Sequence, residues 1–492
     1  MNAALPMLRD FSDRFSPIVV KELRQGLRTR FFTSSLILFH TLIILLLVTV
    51  TFGSPVEVVN GIFWGIAGLM LLVVLPLRGF SALHGEAADG TLDMLTLTSI
   101  ASFRILYGKW LALFSQSLLV AGSILPYMVA RYFFGGVEIL REAVALLLLV
   151  LGSGIITAAL LAFSSQSSVL LRLFLALGVG AGAVPLGFFT AFLVSVSSAD
   201  SVVRDFFALD RWEQYSIVGG ILVLVVYVVY YFLALGSSRI APPSENHSTR
   251  KRLVALAVHG AFTVAGLLLC FFNKDPDVAL CVFIPLMFMT LIVSMDVLTE
   301  EMPRYPTAVE ALARRGSFGR MAGRLLYPGW ASGVFFAALL CMMTFSILAG
   351  ITARHRHWDW DDGPAPYFLC IFLAAFVPVI LRIGRAGLFA NWWVVQLCSV
   401  ILGIMLSMFC HVMNARDLGV IGIITPITAL FGVETVDYSS RDGIILYGCF
   451  FSAIWLLAAV VRARINFDVY NRLEDEAHMH DAVAIRKTPP LS

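Results

Sequence analysis

Charged residues are scarce in this sequence. Asp, Glu, Lys and Arg make up 14% of its 492 residues, whereas a soluble protein carries roughly a quarter. The hydrophobic fraction is 59% and the mean hydropathy is +0.87. So little polar surface cannot cover a water-soluble globule, which indicates lipid as the solvent for much of the chain. The net charge of +3 gives no reason to expect nucleic-acid binding.

Cysteine is also sparse, and its spacing is uninformative. No two of the seven cysteines form a CxxC pair, and all lie in or beside apolar runs. The pattern does not support a disulfide framework or a metal site, and it predicts small apolar filling residues. The seven are Cys270, Cys281, Cys341, Cys370, Cys398, Cys410 and Cys449.

A phosphate-binding loop is absent as well. The sequence contains no GxxxxGK[ST] motif, and its longest predicted cytoplasmic loop, 298–328, is too short to hold a nucleotide-binding domain. We therefore expect a chain that is not itself an enzyme and binds no cofactor. The outer segment 355–362 contains histidines and aspartates, but a solvated loop is the simpler interpretation.

Long apolar runs dominate what is present. A helix that rises about 1.5 Å per residue needs about 20 apolar residues to cross a bilayer. The sequence predicts an all-α polytopic transmembrane helical protein with about twelve spans. They are 32–52, 58–77, 107–130, 142–164, 170–195, 216–236, 253–272, 278–297, 329–351, 367–383, 391–413 and 443–461. A shorter apolar stretch, 418–433, is either re-entrant or interfacial.

The distribution of basic residues predicts the orientation. With the N-terminus inside, most of the 35 Lys and Arg residues fall in inside segments, so both termini are predicted to be cytoplasmic. A polar, proline-containing linker, 237–252, separates a six-span module, 32–236, from a second one, 253–461. The tail, 462–492, is cytoplasmic. No internal repeat relates the two modules.

An amphipathic helix is predicted before the first span, within the cytoplasmic region 1–31. Ile18, Leu23 and Leu27 recur at helical spacing, and Pro17 suits the first helical position. The cations lie elsewhere on the helix, near anionic headgroups. A simple juxtamembrane anchor is the alternative. A second surface helix is predicted at 307–316, from a capping box of Thr307 with Glu310 and a glycine stop.

A folded cytoplasmic elbow, 81–105, is predicted between the second and third spans. It contains a short acidic piece with Glu86 and Asp89, a glycine break at Gly90 and a second amphipathic piece, and a basic return to the membrane follows at Lys109. Composition alone also permits an ordinary loop.

Together these segments resemble the ABC-2 family of ABC transporter permeases, also described as type V exporter membrane domains. The resemblance covers 16–135 and extends to about 236, with Ala87 and Ile100 where the family often has arginine and proline. It is carried by Pro17, Lys21, Glu22, Leu23, Arg24, Glu86, Asp89, Gly90, Thr91, Leu92, Asp93, Leu95, Gly108 and Lys109.

The resemblance implies a function and partners. The chain would be the membrane-spanning permease of an exporter, in the bilayer of a bacterial inner membrane. A separate nucleotide-binding (ATPase) subunit would hold ATP and Mg, and a second copy or a related permease would complete the transporter. The implied interface-helix residues are Lys21, Glu22, Arg24 and Arg28. The implied coupling residues are Glu86, Asp89, Gly90, Thr91, Leu92 and Asp93.

Other interpretations stay open. An ATP-independent transporter or channel would show inverted repeats, matching interrupted spans and buried charges, of which the sequence indicates few. A membrane anchor or assembly subunit would dock a partner without transport. Intramembrane catalysis has little support, because His259 has no serine or carboxylate at helical spacing. Gly178 and Gly182 are candidates for close helix packing, within the chain or between copies.

Overall fold

The computed structural model describes residues 17–83, 101–134, 138–165, 169–195, 212–242, 244–272, 276–354, 364–381, 387–413, 416–435 and 438–487. These residues form helices and turns and no strand. The chain divides into two compact units, Met1–Ala241 (unit 1) and Pro242–Ser492 (unit 2). The division falls inside the predicted linker. Much of that linker is helical, because one helix continues to Ile240 and the next begins at Ser248.

The described part of unit 1 contains seven α-helices. They are α1 (Pro17–Leu27), α2 (Arg30–Thr51), α3 (Val56–Gly68), α4 (Ser102–Phe134), α5 (Ile139–Phe163), α6 (Val169–Ser195) and α7 (Trp212–Ile240). After α3 the chain continues through a π-helical turn, Leu69–Val74, and a 3-10 turn, Pro76–Ser81. Pro76 has no backbone N–H, so the regular α-helical bonding is interrupted there.

Unit 2 contains both long and short helices. They are α8 (Ser248–Phe272), α9 (Pro276–Leu298), α10 (Thr307–Ala313), α11 (Gly316–Leu326), α12 (Trp330–Arg354), α13 (Pro364–Ala374), α14 (Val377–Ile380), α15 (Leu388–Val412), α16 (Pro426–Thr435), α17 (Tyr438–Ile465) and α18 (Asp468–Lys487). A 3-10 segment, Arg416–Ile424, precedes α16.

Ten helices in the described ranges are long and apolar enough to cross a membrane. Two shorter apolar helices, Gly180–Thr190 and Ala365–Ile380, lie in the regions of two further predicted spans. A helix satisfies its own backbone hydrogen bonds, as a chain in lipid must. The prediction of an all-α polytopic membrane protein is confirmed at this level. The twelve spans and the cytoplasmic termini stay predictions.

The core of unit 1 is apolar and lies where α2, α3 and α5 meet. Ile43, Phe63 and Leu149 have no exposed surface, because neighbouring helices cover them completely. The outer faces are apolar too, since Leu38 and Leu45 on α2 are each 61% exposed. Such faces are unfavourable in water and favourable against lipid chains.

A glycine allows close contact between α9 and α12 in unit 2. A Cβ added at Gly333 would overlap the backbone carbonyl of Val297, so the two helices touch backbone to backbone there. Ala337 and Leu340, on α12, are fully buried. Small residues at a helix contact increase the packing area between membrane helices.

We expect Gly333→Ala to destabilise unit 2 by about 1–3 kcal/mol, because overpacking forces the helices apart. All seven cysteines lie in unit 2, so a thiol-reactive dye during thermal unfolding reports on that unit. Gly260→Ala on α8 is the matched control, since its added Cβ would have its nearest contact, Met343 Cε, at 3.6 Å. Equal melting temperatures for the two variants would contradict the prediction.

The predicted span 367–383 is not one continuous helix. α13 ends at Ala374 and α14 begins at Val377. Pro378 has no N–H with which to bond the Ala374 carbonyl. The Gln396 side chain donates to that oxygen instead, at 2.8 Å, and the Trp392 indole donates to the neighbouring carbonyl of Ala375 at 3.2 Å. Two side chains of α15 therefore replace backbone bonds at the break.

Two more side chains bond carbonyls at the end of this interrupted helix. Asn391 donates to the carbonyls of Pro378 and Leu381, at 3.2 and 3.0 Å. Arg462 donates to those of Val379 and Ile380, at 2.6 and 3.2 Å. Polar side chains of α15 and α17 thus satisfy backbone groups of the interrupted helix.

The segment 418–433 covers most of a helical hairpin, whose two arms are the 3-10 segment Arg416–Ile424 and α16. Phe431 packs on Gly403, near the middle of α15, so closely that an added Cβ would overlap its ring. The indole of Trp455, well inside α17, donates to the Ile424 carbonyl at 2.9 Å. The segment therefore packs against both long helices, and re-entrant and interfacial placements both stay predictions.

The predicted surface helix 307–316 corresponds to α10, which ends at Ala313, and a second short helix, α11, begins at Gly316, where φ is +69°. The capping-box prediction is wrong. Thr307 is already inside α10, and its hydroxyl donates to the Ser244 carbonyl at 3.0 Å rather than accepting from its own helix. Glu310 pairs with Arg314.

Candidate functional site

Helix α1 packs along the start of α4. Val19 is buried, and Gly108 lets Ile18 come close, because a Cβ added at Gly108 would lie 3.0 Å from Ile18 Cγ2. Lys21 and Arg24 are exposed, as the amphipathic pattern predicts. The helix before the first span is therefore fixed to the third predicted span.

An ion pair strengthens this contact. Lys109 Nζ lies 3.0 Å from Glu22 Oε1, with the lysine side chain 5% exposed and the glutamate 25%. Both residues belong to the motif that carries the resemblance. A charge-assisted hydrogen bond shielded in this way is stronger than a surface salt bridge.

The end of the second predicted span joins the same contact. Arg78 donates to the side chain of Gln116 on α4, and Glu22 attracts Arg78 electrostatically. Gly26 of α1 lies against the same amide, where any Cβ would overlap it. We call this group, Glu22, Gly26, Arg78, Lys109 and Gln116, the α1 joint.

The α1 joint flanks the predicted elbow on both sides. Described structure stops at Leu83, five residues after Arg78, and resumes at Ala101, eight residues before Lys109. The implied coupling residues lie outside the described residues; they are Glu86, Asp89, Gly90, Thr91, Leu92 and Asp93. The remaining implied interface-helix residue, Arg28, is exposed. Both connections to the elbow are thus fastened to α1.

A second buried polar cluster lies at the other end of α4. Arg131 and Glu142 form an ion pair at 2.7 Å, with side chains only 2% and 1% exposed. Asn60 accepts from Arg131 Nε at 3.2 Å, Trp64 donates to Glu142 at 3.3 Å, and Phe63 lies under the guanidinium. The cluster links α3, α4 and α5 at this end.

Unit 2 contains the largest buried ionic group among the described residues. Lys251 Nζ lies 2.7 Å from Asp296 Oδ2 and 2.6 Å from Glu300 Oε1. Arg252 Nη2 lies 2.6 Å from Glu300 Oε2. The four side chains, which we call the α8 charge network, are 0–5% exposed. Two cations face two anions, so the charges balance.

Hydrogen bonds connect the network to the turn between α11 and α12. The Gly329 N–H and the Ser248 hydroxyl donate to Glu300, at 3.0 and 2.9 Å. Arg252 donates to Ser332 Oγ at 2.9 Å, and Tyr470 lies 3.1 Å from the same hydroxyl. Additional hydrogen bonds of this kind help to offset the cost of burying charged groups. The network therefore links α8, α9, α12 and α18.

Neighbouring charges control the ionisation of Glu300. Burial alone would raise the pKa of its carboxyl, but Arg252, Lys251 and His247 outweigh burial and hold that pKa well below its usual range. Burial acts on the pKa of His247 in the opposite direction, because the charged form of histidine is the protonated one. Burial and the nearby Lys251 lower the pKa of its imidazole below 6.5, against weaker attraction from Glu300 and Asp296.

We expect unit 2 to lose stability as pH falls from about 7.5 to 5.5. A histidine whose pKa is lower in the folded state binds its proton more readily when unfolded, so protonation below its unfolded pKa of about 6.5 favours unfolding. His247→Gln should flatten this part of the pH dependence. Dye-monitored melting across that pH range checks the prediction, and an unchanged slope in the variant would refute it.

The remaining predicted positions belong to none of these polar clusters. Gly178 and Gly182 are exposed, and no described atom lies within 4 Å of a Cβ added at either, so their packing role stays a prediction. His259 is buried, with Nδ1 2.8 Å from the Ala255 carbonyl oxygen. The segment 355–362 lies outside the described residues. Within the described ranges, no group of three metal-ligating side chains comes together.

Sequence reasoning missed the buried charges and one cysteine pair. Lys251, Arg252 and Glu300 lie at the ends of apolar runs, where charges normally reach water. The four-residue spacing of Asp296 and Glu300, which puts both on one helix face, was an available signal. Cys370 and Cys449 lie 3.8 Å apart at Sγ although 79 residues separate them, and only the fold shows this.

These features define a polytopic, all-α integral membrane protein with buried ionic joints at the ends of its helices. No family model, no curated protein and no solved structure matches the chain. The function is therefore argued from the residues themselves.

Proposed function

We propose that this chain is the membrane-spanning permease subunit of an ABC transporter, driven by ATP hydrolysis on a separate nucleotide-binding subunit. The observation that supports this most is the α1 joint. Glu22 pairs with Lys109 and attracts Arg78, so α1 holds the two membrane segments on either side of the elbow together. Export is the proposed direction, because the resembled family mostly exports.

The joint suits a coupling role for mechanical reasons. A movement imposed on the elbow by a soluble partner must reach the spans without being absorbed by loose connections. Only a few residues separate the elbow from Arg78 and Lys109. Lys109 is paired with Glu22 of α1, and Arg78 bonds Gln116 of α4 and is attracted by Glu22. The three elements can then move as one rigid body, as shear and hinge transitions require.

The elbow itself would provide the docking surface. Glu86, Asp89 and Asp93 would make anionic contacts, Gly90 would let the backbone turn, and Thr91 with Leu92 would complete the contact surface. A basic surface on the nucleotide-binding subunit would be complementary. ATP and Mg would be held there, and the chain would bind no cofactor of its own.

The proposed topology is twelve crossings in the bilayer of a bacterial cytoplasmic membrane, with both termini inside. α6 and the interrupted α13–α14 would be the two crossings beyond the ten long apolar helices. The exposed glycines of α6, Gly178 and Gly182, would be available to a second copy or a related permease. The substrate is left open.

Affinity purification in mild detergent tests the proposal. We expect a protein with a Walker motif to co-purify with ATPase activity, and Glu86→Arg combined with Gly90→Pro to abolish both. The matched control is Glu301→Arg, a charge reversal on an acidic side chain that is 78% exposed in unit 2. Purification of the chain alone, without ATPase activity, would contradict the proposal.

An ATP-independent transporter is the second candidate, and two observations favour it. More charge is buried at the ends of the described spans than the sequence indicates, including Arg131, Glu142 and the α8 charge network. The α13–α14 span is also interrupted. Against it, the irregular turns of unit 1 fall in the second predicted span and the break in unit 2 falls in the fourth, so they do not match. Ion-gradient-driven uptake by the purified chain alone would favour this candidate.

A further inference from the structure

Helix α11 has two apolar faces. Gly319, Gly323 and Leu326 are buried against the rest of unit 2. On the opposite side, Phe318 is 75% exposed and Met321 68%, three residues apart on one helical face. A globular protein buries one face of such a helix and leaves the other polar. We call Phe318 and Met321 the outer stripe.

The outward direction of this stripe is fixed. Gly319 lies against the backbone of Leu312 in α10, and Gly323 against the ring of Tyr327, both too close to admit a Cβ. Arg324 donates to Asn471 of α18 at 2.5 Å. Because three contacts hold the opposite side of the helix, α11 cannot rotate to bury its outer stripe.

The helix lies beside the end of a membrane-crossing helix. Only Tyr327, Pro328 and Gly329 separate Leu326 from Trp330, the first residue of α12. Three connecting residues span at most about 14 Å between the two ends. This turn is also fixed, since Gly329 donates to Glu300 of the α8 charge network.

Several arginines lie near the outer stripe in the sequence, and their acidic neighbours are less exposed than they are. Glu310, the partner of Arg314, is 32% exposed, against 57% for the arginine. Arg314 and Arg315 are exposed at the beginning of α11, and Arg320 is 41% exposed. Glu474 is only 2% exposed and lies behind the helix, near Arg320 and Arg324. The exposed surface therefore combines large apolar side chains with positive charge.

We propose that the outer stripe inserts into the headgroup region of the membrane, and that the exposed arginines bind anionic phospholipid there. Exposed apolar groups and arginines on one short helix beside a span match a lipid surface of negative charge. This site is independent of the proposed transport function, because it requires neither the elbow nor a nucleotide-binding subunit.

Cysteine accessibility in lipid nanodiscs tests the proposal on the full chain. Phe318→Cys reports on the outer stripe, and Ala311→Cys, at an exposed position of α10, is the matched control. A charged, membrane-impermeant maleimide labels each variant, with the parent chain as the background for the native cysteines. In discs with anionic phospholipid, labelling of Phe318→Cys should be slower by about tenfold or more than in zwitterionic discs. Labelling of Ala311→Cys should not change.

A charge variant tests whether the exposed arginines cause the dependence on anionic lipid. Combining Arg314→Gln and Arg315→Gln with Phe318→Cys should remove most of the dependence on anionic lipid. Equal labelling rates in zwitterionic and anionic discs would overturn the proposal. Protection that appears only when a soluble partner protein is added would also overturn it, and would assign the stripe to a protein interface. Size-exclusion profiles that match the parent chain confirm that the variants are folded.

Discussion

Replacing Glu300 by glutamine is expected to destabilise unit 2 by about 3–5 kcal/mol, the effect of removing one partner of a buried ion pair. The substitution keeps the shape of the side chain and removes its charge. The guanidinium of Arg252, fully buried, then loses the carboxylate that now lies 2.6 Å away. Melting in detergent, read by a thiol-reactive dye on the buried Cys341 and Cys370, measures the loss.

The neighbouring residue provides the control. Glu301 pairs with Arg304 at 3.4 Å, but both side chains are more than 70% exposed. Glu301→Gln should therefore change stability by less than about 1 kcal/mol. Because the pKa of Glu300 is lowered in the folded state, its contribution is complete above the unfolded pKa of about 4.5 and declines as pH falls below it. Similar melting temperatures for the two variants at neutral pH would refute the importance of the network.

Under the proposed function, charge reversal in the α1 joint is expected to reduce the ATPase activity of the partner subunit. Glu22→Lys and Lys109→Glu each place two like charges at the position of a 3.0 Å ion pair. Each single variant should lose about tenfold or more of the ATPase activity that co-purifies with the chain, because α1 no longer holds the flanks of the elbow together.

The double variant separates coupling from simple disruption. Glu22→Lys with Lys109→Glu restores an opposite-charge pair, so most of the activity should return. Incomplete rescue is expected because the new lysine also faces Arg78. If the double variant is as inactive as the singles while all three fold normally, the ion pair is not part of the coupling path.

The length of the apolar runs in the sequence predicted the long helices well, but it did not predict where a helix is interrupted. The run 142–164 corresponds to Ile139–Phe163, because a helix is the only way for an isolated apolar segment to satisfy its backbone in lipid. The run 367–383 is also strongly apolar, yet its helix ends at Ala374. Pro378 was visible in the sequence, but the donors that make the break stable come from α15 and α17. Such donors become evident only after the helices pack.

The burial and the partners of the charged residues in the candidate sites could not be predicted from the sequence either. Lys251 and Arg252 were counted as loop cations in the orientation argument, and they do lie at a helix end. Their burial was not predictable, because it depends on Glu300 and on the turn before α12. The pairing of Glu22 with Lys109 likewise joins residues 87 positions apart. The sequence supplied the participants of both sites, and the tertiary contacts determined their partners.

The α8 charge network also has a consequence for synthesis on the ribosome. Arg252 is made 48 residues before Glu300, the carboxylate that it binds. At about 5–20 residues per second, the delay is on the order of several seconds. During that interval the early part of α8 is best accommodated at the membrane surface, where arginine remains hydrated. The ion pair that fixes α8 in unit 2 therefore cannot form before α9 is complete.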